Sequence, residues 1–314
     1  EVREVAGSHG PTLNPTPCGG AEWGPVTKIV SIQSSVAYGH VGNSAATFPL
    51  MRMGSEVLPV LTVHFAASTI YGPPRGPLLT PDMVGDVVLG MDELGVLDDV
   101  DAVLSGFQGA PAMGARILES VRAVKRSSPR ALYCCDPVMG DVGRGFFVAP
   151  GIPEFLRDEV LRVADIVTPN HFELNFLTGR DSGTMAEIVD AARALRRQGP
   201  GVVLVTSAVA SDAPSDQLHM IAVDADGAWI VTTPLIDRTF TGSGDVTAAV
   251  FLHHFLREGM VEALSKTAST IYGLLARTAE LDRRELALVD AQDEFVSPTH
   301  AFEATPIPAQ PGRG

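Results

Sequence analysis

Six continuous apolar runs, separated by amphipathic segments, constrain this chain most. They are KIVSIQ (28–33), EVLPVLTV (56–63), AVLSGF (102–107), ALYCCDP (131–137), DIVTPN (165–170) and VVLVTS (202–207). Runs without in–out alternation are what strands covered on both faces require. Helical periodicity fills intervals around 80–96, 111–127, 153–163 and 184–198. Strand, helix, strand in repetition predicts an α/β fold, a doubly wound and mostly parallel sheet with helices on both faces. QLHMIAVDADGAWIVTT (217–233) alternates across an Asp-Gly pair, which predicts a small β-hairpin.

With 314 residues, 45% of them hydrophobic, one large core is within reach. Residues 1–25 are rich in glycine, proline and polar side chains without a period, and read as a disordered leader. The residues from Thr305 to Gly314 read as a flexible tail, leaving a single domain over 26–304. A net charge of −14 repels phosphate backbones and anionic lipid, so neither nucleic acid nor membrane is an expected partner. No apolar run approaches the ~20 residues of a membrane span. Three cysteines without metal or disulfide spacing fit a reduced, cytoplasmic chain, with Cys134 and Cys135 buried in a strand.

In doubly wound sheets, sites gather at the carboxyl ends of the strands. The polar clusters IQSSVAYGH, SGFQG, CDPVMGD, TPNHFE and VTS fall there. A further cluster, Gly242-Ser243-Gly244-Asp245, opens a helical run. A glycine turn at a helix start offers unpaired N–H groups to an anion. No GxxxxGK[ST] phosphate loop is present, and the turn is not a GxGxxG fingerprint. Asp245 can cap the helix or act as a general base beside an anion hole formed by Gly242, Ser243 and Gly244. His40, His253 and His254 lack metal-ligand spacing, and the last two read as packing or helix-surface residues.

The GSGD turn resembles the GTGD/GVGD signature of the ribokinase-like superfamily. SIQSSVAYGHVGNSAATFPLMRMG (31–54), CDPVMGD (135–141), VAPGIPEF (148–155) and DIVTPNHFELNFLTG (165–179) are similar to pyridoxal kinases, in the same order from about Val26 to Ala304. The resemblance implies ATP-dependent phosphorylation of the 5′-hydroxymethyl of pyridoxal, with Asp245 as base. It implies acceptor contacts at Ser34, Thr69, Phe107 and Asp245. Asp136, Thr168, Glu173, Thr206, Thr233 and Leu235 would line the nucleotide. Asp136, Asp141 and Glu173 would lie on the Mg²⁺ side, and a monovalent cation such as K⁺ is a further option. A homodimer is also implied. Asn170 and Glu173 additionally fit a capping box. Arg144, between two glycines, is either a solvated loop residue or part of a lid over ATP. Phe65-Ala66-Ala67-Ser68-Thr69 departs from the family's Phe-Ser-Asn-His-Thr, Ile70 follows where glutamine or glycine is common, Phe107 replaces a frequent tyrosine, and Thr206 stands where some members have lysine. These departures bear on which vitamer is taken. They keep open a kinase for another hydroxymethyl heterocycle, such as hydroxymethylpyrimidine, and a non-catalytic pyridoxal or pyridoxal-phosphate binder.

Overall fold

All six apolar runs become strands in the computed structural model, which describes residues 26–308. In chain order the elements are β1 (Lys28–Tyr38), α1 (Asn43–Arg52), β2 (Glu56–Ala67), α2 (Pro81–Glu93), β3 (Ala102–Ser105), α3 (Pro111–Ser127), β4 (Leu132–Cys135), β5 (Gly140–Asp141), β6 (Gly145–Phe146), α4 (Ile152–Phe155), β7 (Ile166–Val167), α5 (His171–Thr178), α6 (Met185–Arg196), β8 (Val202–Ala208), β9 (Gln217–Val223), β10 (Ala228–Pro234), α7 (Ser243–Glu258), α8 (Met260–Glu280) and β11 (Thr305–Pro306). The main sheet runs β11-β10-β9-β8-β7-β4-β3-β1-β2. Its β2-β1-β3-β4-β7-β8 portion is parallel, and β9, β10 and β11 add antiparallel strands at one side. The hairpin expected over 217–233 is β9–β10.

Two cores explain why the runs are continuous. Ile29, Leu104, Cys134, Ile166 and Leu204 pack with the residues of α1, α7 and α8. Their chain neighbours Val30, Val103, Cys135 and Val167, and with them Val203, pack with α2 through α6. Cys134 and Cys135 are therefore buried on opposite faces, and burial raises both thiols above their ordinary pKa. Among the described residues no helix is long and apolar enough to cross a membrane.

Some details differ from expectation. The helix expected around 153–163 is the one-turn α4 followed by a π turn over Leu156–Val160. DIVTPN is a strand only at Ile166–Val167, because Asn170 then caps α5 through its side chain. The tail expected to start at Thr305 instead continues the sheet: Ile230 and Trp229 pair with Thr305 and Pro306, and Ile307 N–H reaches Ala228 O. The leader, residues 1–25, and residues 309–314 lie outside the described part.

Candidate active site

The segment after β10 delivers the glycine turn to the carboxyl edge of the parallel strands. Gly242 has φ +86°, and a Cβ there would sit 1.8 Å from the His40 carbonyl oxygen. Only glycine tolerates both conditions. The first intrahelical bond of α7 is Val246 N–H to Gly242 O at 3.1 Å, so the amides of Ser243 and Gly244 precede it at the positive end of the helix. Asp245, in the first turn, is pushed up to about 6 by burial, opposed by the Gly42 amide and its own amide donating to the carboxylate. Gly42, with φ +54°, lies against Ser34: a Cβ on it would be 2.3 Å from Ser34 O. The turn 39–42 is thereby held between the end of β1 and Asp245. No role for Gly42 follows from sequence alone, although the glycine spacing of YGHVGN marks a special backbone.

A cavity of about 280 Å³ opens at this point. On one side lie Ser34, Thr69 and Phe107, with Val36, Phe65 and Ile70 making the wall apolar. On the other lie Asp136, Asp141, Thr168, Glu173 and Thr206. Gly242 through Asp245 also line it, with Gly242 against the His40 carbonyl and Gly244 facing Asp136. The first wall suits a small aromatic ring, and the acidic one suits a cation, or an anion that brings its counter-cation. Two expected nucleotide-lining residues are not on its wall: Thr233 is buried within β10, and Leu235 is half-exposed just beyond it. Both are nonetheless at the carboxyl edge, since β10 runs antiparallel to β9 and β9 to β8, which gives β10 the direction of the parallel strands. Arg144 is the one cationic side chain lining the cavity among the described residues, on the β5–β6 hairpin with its guanidinium 5.0 Å from the Phe147 ring. The three lysines are paired elsewhere, with Asp99, Asp165 and Glu258. His253, expected as a packing residue, is buried with Nδ1 2.8 Å from Ser55 Oγ.

The acids carry an unusual electrostatic load. Burial raises Asp136 well above the ordinary carboxylate range, and the nearby charges of Glu173 and Asp245 add to the shift. Its Oδ1 accepts from Thr168 Oγ1 at 3.3 Å. Burial pushes Glu173 up to about 8, although Oε1 accepts from Met139 N–H at 3.0 Å and Oε2 from Asn170 N–H at 2.9 Å. Asp141 Oδ1 takes the Val142 amide at 2.8 Å. Among the described residues no group of three His, Cys, Asp or Glu side chains converges on a metal position, and Mg²⁺ bound to phosphates needs only one or two protein carboxylates. Glu173 also caps α5, as the Asn170–Glu173 capping box anticipated. Asp136, whose charged neighbours are all acids, is the carboxylate that a divalent cation would relieve.

A stability test follows with a definite sign. A carboxylate with a raised folded pKa disfavours the native state once the unfolded chain ionises, so the penalty grows as pH rises above the ordinary aspartate value of 3.8. Asp136→Asn keeps the shape and removes the charge. In metal-free buffer at pH 8 it should have a higher Tm than the wild type. The gain should fade toward pH 4. Thermal unfolding across that range checks it, and a lower Tm at pH 8 would contradict it.

Comparison with known proteins agrees with this geometry. A family profile described as phosphomethylpyrimidine kinase matches residues 100–287. The chain is 52% identical over 281 residues to the pyridoxal kinase PdxY of Leifsonia xyli subsp. xyli, covering 89% of this chain and 99% of that protein. To PdxY of Rubrobacter xylanophilus it is 51% identical over 276 residues, with coverage of 87% and 95%. Among solved structures it is similar to the pyridoxal kinase from Leishmania donovani in complex with ADP and ginkgotoxin, with a TM-score of 0.83, 29% identity, and coverage of 90% of this chain and 100% of that one. With half its residues shared with proteins that it matches nearly end to end, and the same ribokinase-like fold, the chain belongs to the pyridoxal kinase family of phosphotransferases.

Proposed function

We propose that this protein transfers the γ-phosphoryl group of ATP to the 5′-hydroxymethyl oxygen of pyridoxal, giving pyridoxal 5′-phosphate and ADP. The single observation that carries this reading is Asp245, raised to about 6 and set one residue beyond unpaired helix-start amides. A base with a pKa near the working pH is both ionised and basic enough to accept a hydroxyl proton. The acceptor lies between Ser34, Thr69 and Phe107, with its hydroxymethyl toward Asp245. The hydroxyl oxygen bonds to the γ-phosphorus as the bond to the β–γ bridging oxygen breaks, and the proton passes to Asp245. The Ser243 and Gly244 amides stabilise charge on the transferring group. Thr168 and Thr206 line the phosphate and nucleotide side, and the family resemblance assigns Thr233 and Leu235, at the end of β10, to the nucleotide as well.

Asp136, Asp141 and Glu173 would hold Mg²⁺, which would neutralise the polyphosphate charge when bound. Such a metal keeps most of its waters and phosphate ligands, so one or two of these carboxylates suffice. Arg144, on its hairpin, supplies positive charge from the solvent side. A monovalent cation such as K⁺ is compatible with the remaining carboxylate charge.

A second reading, phosphorylation of hydroxymethylpyrimidine, is favoured by the name of the family profile and by the altered Ala66-Ala67-Ser68 stretch. ADP release measured with pyridoxal, pyridoxine, pyridoxamine and hydroxymethylpyrimidine decides between them. Higher kcat/KM on a B6 vitamer supports the first reading; higher kcat/KM on the pyrimidine replaces it. The family resemblance also supports a homodimer, and Met83 and Val87 of α2 and Leu94 just after it are 55, 48 and 79% exposed, apolar surface that a second copy would cover. Sedimentation at micromolar concentration should give the dimer mass, and monomer alone would contradict it.

A further inference from the structure

The segment Asp282–Leu286, after α8, backs the acceptor side of the cavity without lining it. Asp282 adopts φ +47°, the one non-glycine positive φ among the described residues. Arg238 holds that turn, donating from Nη1 to Asp282 Oδ1 at 3.0 Å and from Nη2 to Arg283 O at 2.7 Å. Arg283 pairs with Asp290, and Leu286 is buried against the Gly242 turn. A short stretch anchored this firmly presents its next side chain, Glu285, in a fixed place.

The Glu285 carboxylate joins two segments far from it in sequence. Oε1 accepts from the Tyr71 hydroxyl at 2.5 Å, across 214 residues. Oε2 accepts from the His40 amide at 2.9 Å, across 245 residues. The carboxylate lies flush on the backbone, since a Cβ on Gly39 would be 2.4 Å from Oε2. Neighbouring groups brace the same contact. The Arg284 guanidinium is 4.1 Å from the Tyr71 ring centroid, and its Nη2 donates to Ile70 O at 3.3 Å. Tyr38 meets Tyr71 edge-on at 5.7 Å. The hydrogen bond and burial push the Tyr71 hydroxyl up to about 12, so it remains a donor at any working pH.

Each joined segment has a task in the acceptor pocket. Residues Ser68, Thr69 and Ile70 precede Tyr71 on the cavity wall. The turn 39–42 contributes Val41 to that wall, packs the His40 carbonyl on Gly242, and sends the Gly42 amide to Asp245. We propose that Glu285 is a positioning residue for the acceptor: its carboxylate clasps the 39–42 turn to the 68–71 turn and so fixes the pocket that pyridoxal enters. It touches neither acceptor nor nucleotide. Its loss therefore weakens acceptor binding selectively, because the nucleotide side is built on α5, β4 and β8, which the clasp does not reach.

The test uses the full chain with Glu285→Gln, Tyr71→Phe and the double variant. In Glu285→Gln the amide oxygen still accepts from Tyr71, but the amide N–H₂ faces the His40 N–H. Expected is a rise of about tenfold in KM for pyridoxal, with KM for ATP within about twofold of wild type, the scale of one charge-assisted hydrogen bond. Tyr71→Phe should give a smaller rise of the same kind, and the double variant should show less than the sum of the two effects. Hydrogen exchange of the nucleotide-free protein should quicken at 38–42 and 68–72 together in Glu285→Gln. An unchanged pyridoxal KM, or equal rises in both KM values, overturns the inference. The KM arm rests on the acceptor reading given above, whereas the exchange arm does not. A wild type inactive on pyridoxal defeats that reading, and exchange that quickens in only one of the two segments defeats the clasp.

Discussion

Asp245→Asn should lower kcat by about 10²–10⁴-fold while leaving ATP and pyridoxal binding largely intact. The asparagine side chain can still accept the Gly42 amide, so the geometry of the turn survives and only the proton acceptor is lost. A carboxylate serving merely as a helix cap would behave differently, since an amide caps nearly as well. The wild-type pH profile is a second readout of the same group. Asp245 must be ionised to act, so kcat should rise with pH through a limb near 6 and then level, with a bound cation moving the limb downward. The variant should lack that limb. Near wild-type kcat in Asp245→Asn would remove the residue from catalysis.

Gly242→Ala is the second large effect, and here fold and chemistry fail together. Forcing alanine to φ +86° costs about 1–2 kcal/mol, and the methyl would overlap the His40 carbonyl in addition. The turn must shift, carrying the Ser243 and Gly244 amides away from the phosphoryl position; loss of such donors costs about 10²–10³ in kcat. A fall in Tm and a fall in kcat of that order are expected. Gly244→Ala is the control for stability. Its Cβ would meet nothing closer than Asp136 Oδ2 at 3.9 Å, and φ there is ordinary, so Tm should hold. Unchanged kcat and Tm in Gly242→Ala would show that the close approach to His40 is not required.

The sheet was legible because burial on both faces leaves each parallel strand as an uninterrupted apolar run, as in KIVSIQ and VVLVTS. The glycine turn was legible because its backbone needs residues without a Cβ. Helix α1 was not read from periodicity: it contains Pro49, and much of its buried side is the small pair Ala45 and Ala46. The strand at Thr305–Pro306 was hidden because a proline-rich sequence gives no strand signal, and two residues of edge pairing need none. In the site, Phe107, Asp136 and Asp245 sit just past strand ends or at the helix start, where position along the chain indicates position in space, and Ser34 sits at the register shift within β1. Thr233 and Leu235 lie at the same edge, because β10 is antiparallel to β9 and β9 to β8, so β10 ends where the parallel strands end; they stay just off the cavity wall. Asp136, Asp141 and Glu173 were legible as acids of one cavity, but the amides of Met139, Asn170 and Val142 that orient Glu173 and Asp141 were not. Glu285 had no sequence signal, because both its partners lie more than two hundred residues away.

The central claim is that phosphate moves from ATP to the 5′-oxygen of pyridoxal at the cavity holding Asp245. Purified protein incubated with ATP, Mg²⁺ and pyridoxal, with the product resolved by phosphorus NMR and ADP counted in parallel, tests it most directly. The expected result is a phosphate monoester on the 5′-carbon, formed in equal amount to ADP and absent from Asp245→Asn. ADP released without that ester, or the ester formed at an undiminished rate by Asp245→Asn, would contradict it.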